Sequence, residues 1–168
     1  MSDFKSKVID RDLNPYHSFL ASFFAGLGEM GLLNQGSVNI VSRRAAEYLY
    51  SYMEAKDLLP NENELKSKSG PELITYLIDY INEVLSLIGR YQIEANGNDN
   101  WSFLIDGNLC RICPKGVGGA EVKGTLCPIP SFIENLINLM MTTDTIKMLS
   151  KGIEKEGTTC KAEFTITG

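Results

Sequence analysis

The chain reads as an α+β domain: helices packed on a small antiparallel sheet, in the order α-α-α-β-β-α-β-β. Changes in the period of the apolar residues predict this. Up to Gly89 apolar residues recur at helical spacing, and from Tyr91 they alternate with polar ones. One further helical run after Pro130 then sits between two pairs of strands, the arrangement of helices covering one sheet rather than a βαβ succession.

Each element has its own signal. Asn14-Pro15 starts the first helix, since proline suits the first helical position, and Phe19, Leu20, Phe23, Phe24 and Leu27 give its apolar face. Gly26, Gly28 and Gly31 weaken that helix and end it by about Leu33. Gly36-Ser37 caps a second helix to about Leu58, with Val38, Val41, Ala45, Tyr48, Leu49 and Tyr52 as its stripe. Pro60 to Gly70 is polar and reads as a loop. Pro71 opens a third helix, whose run from Leu73 to Ile88 is apolar on more than one side and so is expected to be central, with Gly89 as its C-cap. Tyr91–Ala95 and Trp101–Ile105 then form a hairpin around Asn96-Gly97-Asn98-Asp99-Asn100. The stretch from Cys110 to Cys127 is Gly-rich and loop-like. A fourth helix from Pro130 carries Phe132, Ile133, Leu136, Ile137, Met140 and Met141. Strands over about Ile146–Glu154 and Thr159–Thr167 close the domain.

At 168 residues the chain suits one domain spanning 1–168, in which residues 1–89 are helical and residues 90–168 carry the strands. Its net charge of −5 and pI near 4.9 argue against a nucleic-acid binder, which normally carries a basic face. No segment approaches the ~18 apolar residues that span a bilayer. Asp10, Arg11 and Asp12 interrupt any apolar signal core near the N-terminus, so the expected location is cytoplasmic. In a reducing compartment the four cysteines read as thiolates or metal ligands rather than disulfides.

Those four cysteines are the most informative constellation. Cys110 and Cys113 form a Cys-x-x-Cys pair; thirteen residues separate Cys113 from Cys127, and thirty-two separate Cys127 from Cys160. Two thiolates on one turn can share a metal at ~2.3 Å each, and tetrahedral zinc is the common outcome. Cys127 stands at the mouth of the fourth helix, where the helix dipole should lower its pKa. Cys160 shares its strand parity with Ala162 and Phe164 and should face the core. The expectation is therefore a structural zinc site on Cys110, Cys113, Cys127 and Cys160, with Glu121 as an alternative ligand. Packing cysteines and thiol or redox chemistry are the competing readings. A thioredoxin-type pair should open a helix, and Pro114-Lys115-Gly116 follows here instead.

Asn108-Leu109-Cys110, Gly124-Thr125-Leu126-Cys127 before an apolar helix, and the run Glu156 to Ile166 together resemble the 4-vinyl-reductase, or hydrocarbon-binding, domain. The similarity covers about Tyr91 to Gly168; an earlier family cysteine is missing, with Lys151 to Glu156 in its place. The resemblance implies a fold shared with TRAPP vesicle-tethering subunits and related to haem-based nitric-oxide sensors. It also implies small-molecule receptor function, with zinc held by cysteines near the pocket in some members.

Catalytic chemistry finds less support. His17 is the single histidine and reads as a satisfied helix residue rather than a base or haem ligand. Asp144, Glu154 and Glu156 read as solvated charges. Gly116-Val117-Gly118-Gly119 lacks the Lys-Ser/Thr of a phosphate loop. The expected function is binding or sensing of a hydrophobic small molecule, in a pocket lined by Phe103, Phe132, Leu136, Met140 and Phe164. The alternatives are a homodimeric interaction module, pairing through the first two helices, and a thiol enzyme.

Overall fold

A computed structural model describes residues 2–97, 99–141, 146–149 and 153–166. Asn98 of the hairpin turn, Asp144 and Thr167 lie outside the described residues. Among the described residues, six helices and five strands follow in chain order: α1 (Ser2–Asp10), α2 (Pro15–Glu29), α3 (Gln35–Ala55), α4 (Glu62–Ser67), α5 (Gly70–Leu85), β1 (Tyr91–Ala95), β2 (Asn100–Asp106), α6 (Ile129–Met141), β3 (Ile146–Met148), β4 (Glu154–Glu156) and β5 (Thr159–Ile166). The predicted α+β class holds. Two short helices were not expected: α1, and α4, which forms inside the supposed loop behind an Asn61 cap.

The sheet is antiparallel, in the order β1-β2-β5-β3, with β4 also pairing β5. Tyr91 faces Ile105 across the hairpin, and Trp101 faces Phe164 across β2 and β5. That last pair stacks with ring centroids 4.8 Å apart. The expected strand over Ile146–Glu154 is interrupted. Met148 pairs Phe164 and Glu154 pairs Lys161, so six steps along this edge answer three on β5.

The core lies between one sheet face and helices α5 and α6. Leu77, Ile78, Ile81, Ile133, Leu136 and Ile137 meet Trp101, Phe103 and Phe164, all at or near full burial. Burying such side chains contributes roughly 1.5–3 kcal/mol each.

Helix faces depart from the simplest apolar count. In α3 the buried residues are Val38, Ser42, Ala46 and Met53, whereas the expected Val41, Tyr48 and Tyr52 are exposed. The helix has turned its small residues toward α6, which allows close approach; Ser131 Oγ donates to Asn39 O at 3.1 Å across that contact. In α2 the inversion is stronger. His17, Ala21, Ala25 and Gly28 face inward while Tyr16, Phe19, Leu20 and Phe23 stand exposed. The loop before α6 packs on this small-residue face so tightly that a Cβ on Gly118 would lie 2.3 Å from Ala21 O.

Caps also shift. Asn34, not Gly36-Ser37, caps α3 through a reciprocal box with Ser37. Helix α5 ends at Ser86, which adopts a left-handed conformation (φ 51°). Gly89 serves instead as a point of close approach: its N–H donates to Leu109 O at 3.0 Å, and a side chain would meet Leu109.

Candidate functional site: a cysteine-lined cavity

One end of the sheet opens into a cavity of about 580 Å³, built from five segments of the chain. The end of α1 supplies Lys7 and Arg11, and the end of β2 supplies Ile105 and Gly107. The following loop contributes Cys110, Cys113, Lys115 and Gly116. Leu126 and Cys127 come from the approach to α6, and Ile153, Lys155 and Cys160 from the β4–β5 edge. Every cysteine of the chain thus lines one cavity. The sequence separates them by up to fifty positions, and the fold brings them to a common wall because Ile105 and Cys160 are register partners on β2 and β5.

Backbone and side-chain contacts position Cys113, Cys160 and Cys127. Cys113 Sγ accepts from Gly116 N at 3.1 Å in a turn that Val117 N and Gly118 N close onto Cys113 O. As expected, no helix starts there. Cys160 lies so close to Gly107 that a Cβ on that glycine would come within 3.2 Å of the sulfur. Cys127 is held by a side chain ninety-two positions away. Gln35 Nε2 donates to Cys127 O at 2.9 Å, and Cys127 N donates back to Gln35 Oε1 at 3.0 Å.

The expected zinc site does not form. Among the described residues no three of His, Cys, Asp and Glu come together closely enough to hold a metal ion. A tetrahedral ion needs every sulfur about 2.3 Å from one point, and these four are spread round a cavity wall instead. Glu121, the alternative ligand, is exposed and lines no part of the cavity.

The expected low pKa of Cys127 is also reversed. Burial pushes that thiol well above its ordinary value, outweighing the Ile129 N–H at the helix mouth. The side chain is enclosed by protein and keeps some accessibility because it faces the cavity. Cys110 is pushed up to about 12, again mainly by burial, and Cys160 is raised by the same cause. Desolvation penalises a thiolate more than one helix end or backbone donor favours it.

The cavity's charged lining is cationic. Lys7, Arg11, Lys115 and Lys155 line it, and no Asp or Glu does so among the described residues. Arg11 Nη1 donates to Gly107 O at 2.9 Å and to Cys110 O at 2.8 Å, fastening the end of α1 to the cavity rim. In the sequence Arg11 stands out only as a charge interrupting an apolar run. Nothing local marks its role, since both its partners lie nearly a hundred positions away.

The other singled-out residues lie elsewhere. Phe103, Leu136 and Phe164 are fully buried in the core, and Phe132 packs against it from α6. Met140 borders a shallow depression of about 270 Å³ with Leu65 and Met141. His17 is buried; its Nδ1 accepts from Asn14 N at 3.2 Å, and Nε2 faces Leu85 O at 3.4 Å. Burial lowers its pKa. Both ring nitrogens are therefore engaged in structure, as the satisfied-histidine reading expects.

The model of the MJ0207 family matches residues 31–166, from the turn after α2 through β5. The chain belongs to the MJ0207 family. All four cavity cysteines fall inside the matched region, whereas Lys7 and Arg11 precede it. An uncharacterized protein of Methanocaldococcus jannaschii, MJ1342, is 30% identical to this MJ0207-family chain over 84 residues, which is 50% of this chain. The chain spans 63% of the length of that relative. No solved structure matches it.

Proposed function

We propose that the chain is a binding or sensor domain whose ligand, a mainly apolar small molecule, sits in the cysteine-lined cavity. The carrying observation is the cavity itself. Its volume of about 580 Å³ falls within the 300–1,000 Å³ range of small-molecule pockets, and Ile105, Leu126 and Ile153 give it apolar walls. A few polar groups interrupt those walls, the usual composition of such sites. The resemblance to hydrocarbon-binding domains agrees with this reading.

Catalysis by the thiols is the weaker reading. A nucleophilic cysteine needs a thiolate or an adjacent base, while burial keeps Cys110, Cys127 and Cys160 protonated and the only histidine lies outside the cavity. The cytoplasm suits a chain whose cysteines are all unpaired. Among the described residues no helix is long and apolar enough to cross a membrane.

Nile red, a neutral apolar dye, tests the reading. It should bind with one-to-one stoichiometry, and Ile153→Trp, which narrows the cavity from its apolar wall, should weaken binding. Undiminished affinity in a folded Ile153→Trp protein, or no binding by the parent, would overturn it.

A homodimer is a second reading, favoured by the outward face of α2. Tyr16, Phe19, Leu20 and Phe23 are 77%, 64%, 37% and 52% exposed and follow one helical stripe. Aromatic side chains carry about 150–250 Å² each, so at these exposures the patch reaches a few hundred Å², a size that on monomers is often functional. No charge occurs between Pro15 and Gly28, so two copies of an acidic chain could meet there without like-charge contact.

A further inference from the structure

We propose that the ligand of this cavity is an amphiphilic anion: an apolar body carrying one carboxylate or comparable acidic group. The inference rests on the binding reading above and adds the charge of the ligand to it. Acidic residues outnumber basic ones by 21 to 16 in the chain, yet the charged side chains lining the cavity are Lys7, Arg11, Lys115 and Lys155. An acidic protein has gathered cations round one concave, partly apolar space. Low-dielectric walls focus such a field and raise the local concentration of ligands of opposite charge.

The arrangement has two ends of different character. Ile105 and Ile153 belong to the sheet side and are buried. Lys115 and Lys155 are exposed at the rim and free to swing toward a headgroup, and Arg11 is fixed there by its two carbonyl contacts. An alkyl or aryl body would lie against the isoleucines while its acidic group stays at the cationic rim, still partly hydrated. That placement avoids burying an unpaired charge, which is the step that makes fully enclosed anion sites costly. A neutral apolar ligand would gain nothing from the cationic rim, and a cationic one would meet like charge.

Three amphiphiles with the same ten-carbon chain separate the possibilities: decanoate, 1-decanol and decyltrimethylammonium. Calorimetric titration of the full chain at low salt should show decanoate binding about tenfold or more tighter than 1-decanol, equivalent to about 1.4 kcal/mol. The ammonium compound should bind weakest. Raising the salt to about 0.5 M should narrow the gap, because screening shortens the reach of exposed charges. In Lys115→Glu/Lys155→Glu the preference for decanoate over 1-decanol should vanish. Both positions are exposed, so the fold is not at risk. Equal binding of decanoate and 1-decanol by the parent, or a preference that survives the charge reversal and high salt, overturns the inference and leaves the binding reading standing. Failure of all three to bind overturns both.

Discussion

Arg11 and Arg111 hold each other's chain segments in place. The Arg11 guanidinium donates to the carbonyls of Gly107 and Cys110, and Arg111 Nε donates to the carbonyl of Arg11 itself at 2.8 Å. Arg111 Nη1 also reaches Ser86 O at 2.9 Å, tying the end of α5 into the same knot. Hydrogen bonds from charged donors contribute about 1.5–3 kcal/mol each. Arg111→Ala should therefore destabilise the protein by about 2–4 kcal/mol and loosen α1 first. Denaturant titration checks the magnitude, and trypsin should cut after Lys7 or Arg11 sooner than in the parent. Unchanged cleavage there would show that α1 is held by something else.

Gln35 should matter more than its exposed neighbours on α3. Its amide answers both backbone groups of Cys127, so Gln35→Ala leaves an N–H and a C=O without their partner. The expected loss is about 1–3 kcal/mol. Gln35→Glu is the sharper variant, because a carboxylate can accept from Cys127 N but cannot donate to Cys127 O. It should stay destabilised at pH 7 and recover partly at acidic pH as the carboxyl gains a proton. Equal stability of Gln35→Glu and parent at pH 7 would argue against the two-way pairing.

His17 should make stability fall on mild acidification. Burial lowers its folded pKa below the ordinary 6.5, so near pH 6.5 the unfolded chain takes up a proton that the folded chain still refuses. Stability is full above that pH and declines as pH drops below it. Urea midpoints compared at pH 7.5 and 5.5 should show the decline in the parent and a smaller one in His17→Gln, which cannot titrate. The same slope in both proteins would assign the effect to other groups.

Thiol chemistry offers a direct check on the cavity. With iodoacetamide at pH 8, Cys110 and Cys127 should react at least about tenfold more slowly in the folded protein than in urea, because the reagent needs thiolate. Peptide mapping distinguishes the four positions. A Cys127 that reacts at the rate of a free cysteine would mean the helix mouth outweighs burial after all.

The outer face of α2 predicts a dimer. Light scattering at micromolar concentration should give about twice the chain mass of 18.6 kDa. Phe19→Glu/Phe23→Glu should return it to the monomer, since both rings are exposed and their loss leaves the core intact. A monomeric parent removes this reading.

The sequence by itself determined the fold class, the hairpin at Asn96-Gly97, the central position of the third long helix and the inward parity of Cys160. Those features depend on local periodicity, on turn residues and on helix-compatible runs, all of which can be read within a window of a few residues. Tertiary structure decided which faces of α2 and α3 are buried. Counting apolar residues favoured Phe19, Phe23, Tyr48 and Tyr52, but close packing selected Ala21, Ala25, Ser42 and Ala46, because a small side chain lets a loop or helix approach where a ring would hold it away. It also decided the fate of the cysteines. Their spacing suited one metal ion, yet the register of β2 on β5 and the grip of Gln35 on Cys127 set them round a cavity instead. Side-chain amides carry contacts of this kind at Gln35 on Cys127, Asn82 on Ile88 and Asn138 on Ile146, each both donating to and accepting from one residue's backbone. A glutamine or asparagine within a helix looks like any polar surface residue until the chain it binds has folded back onto it.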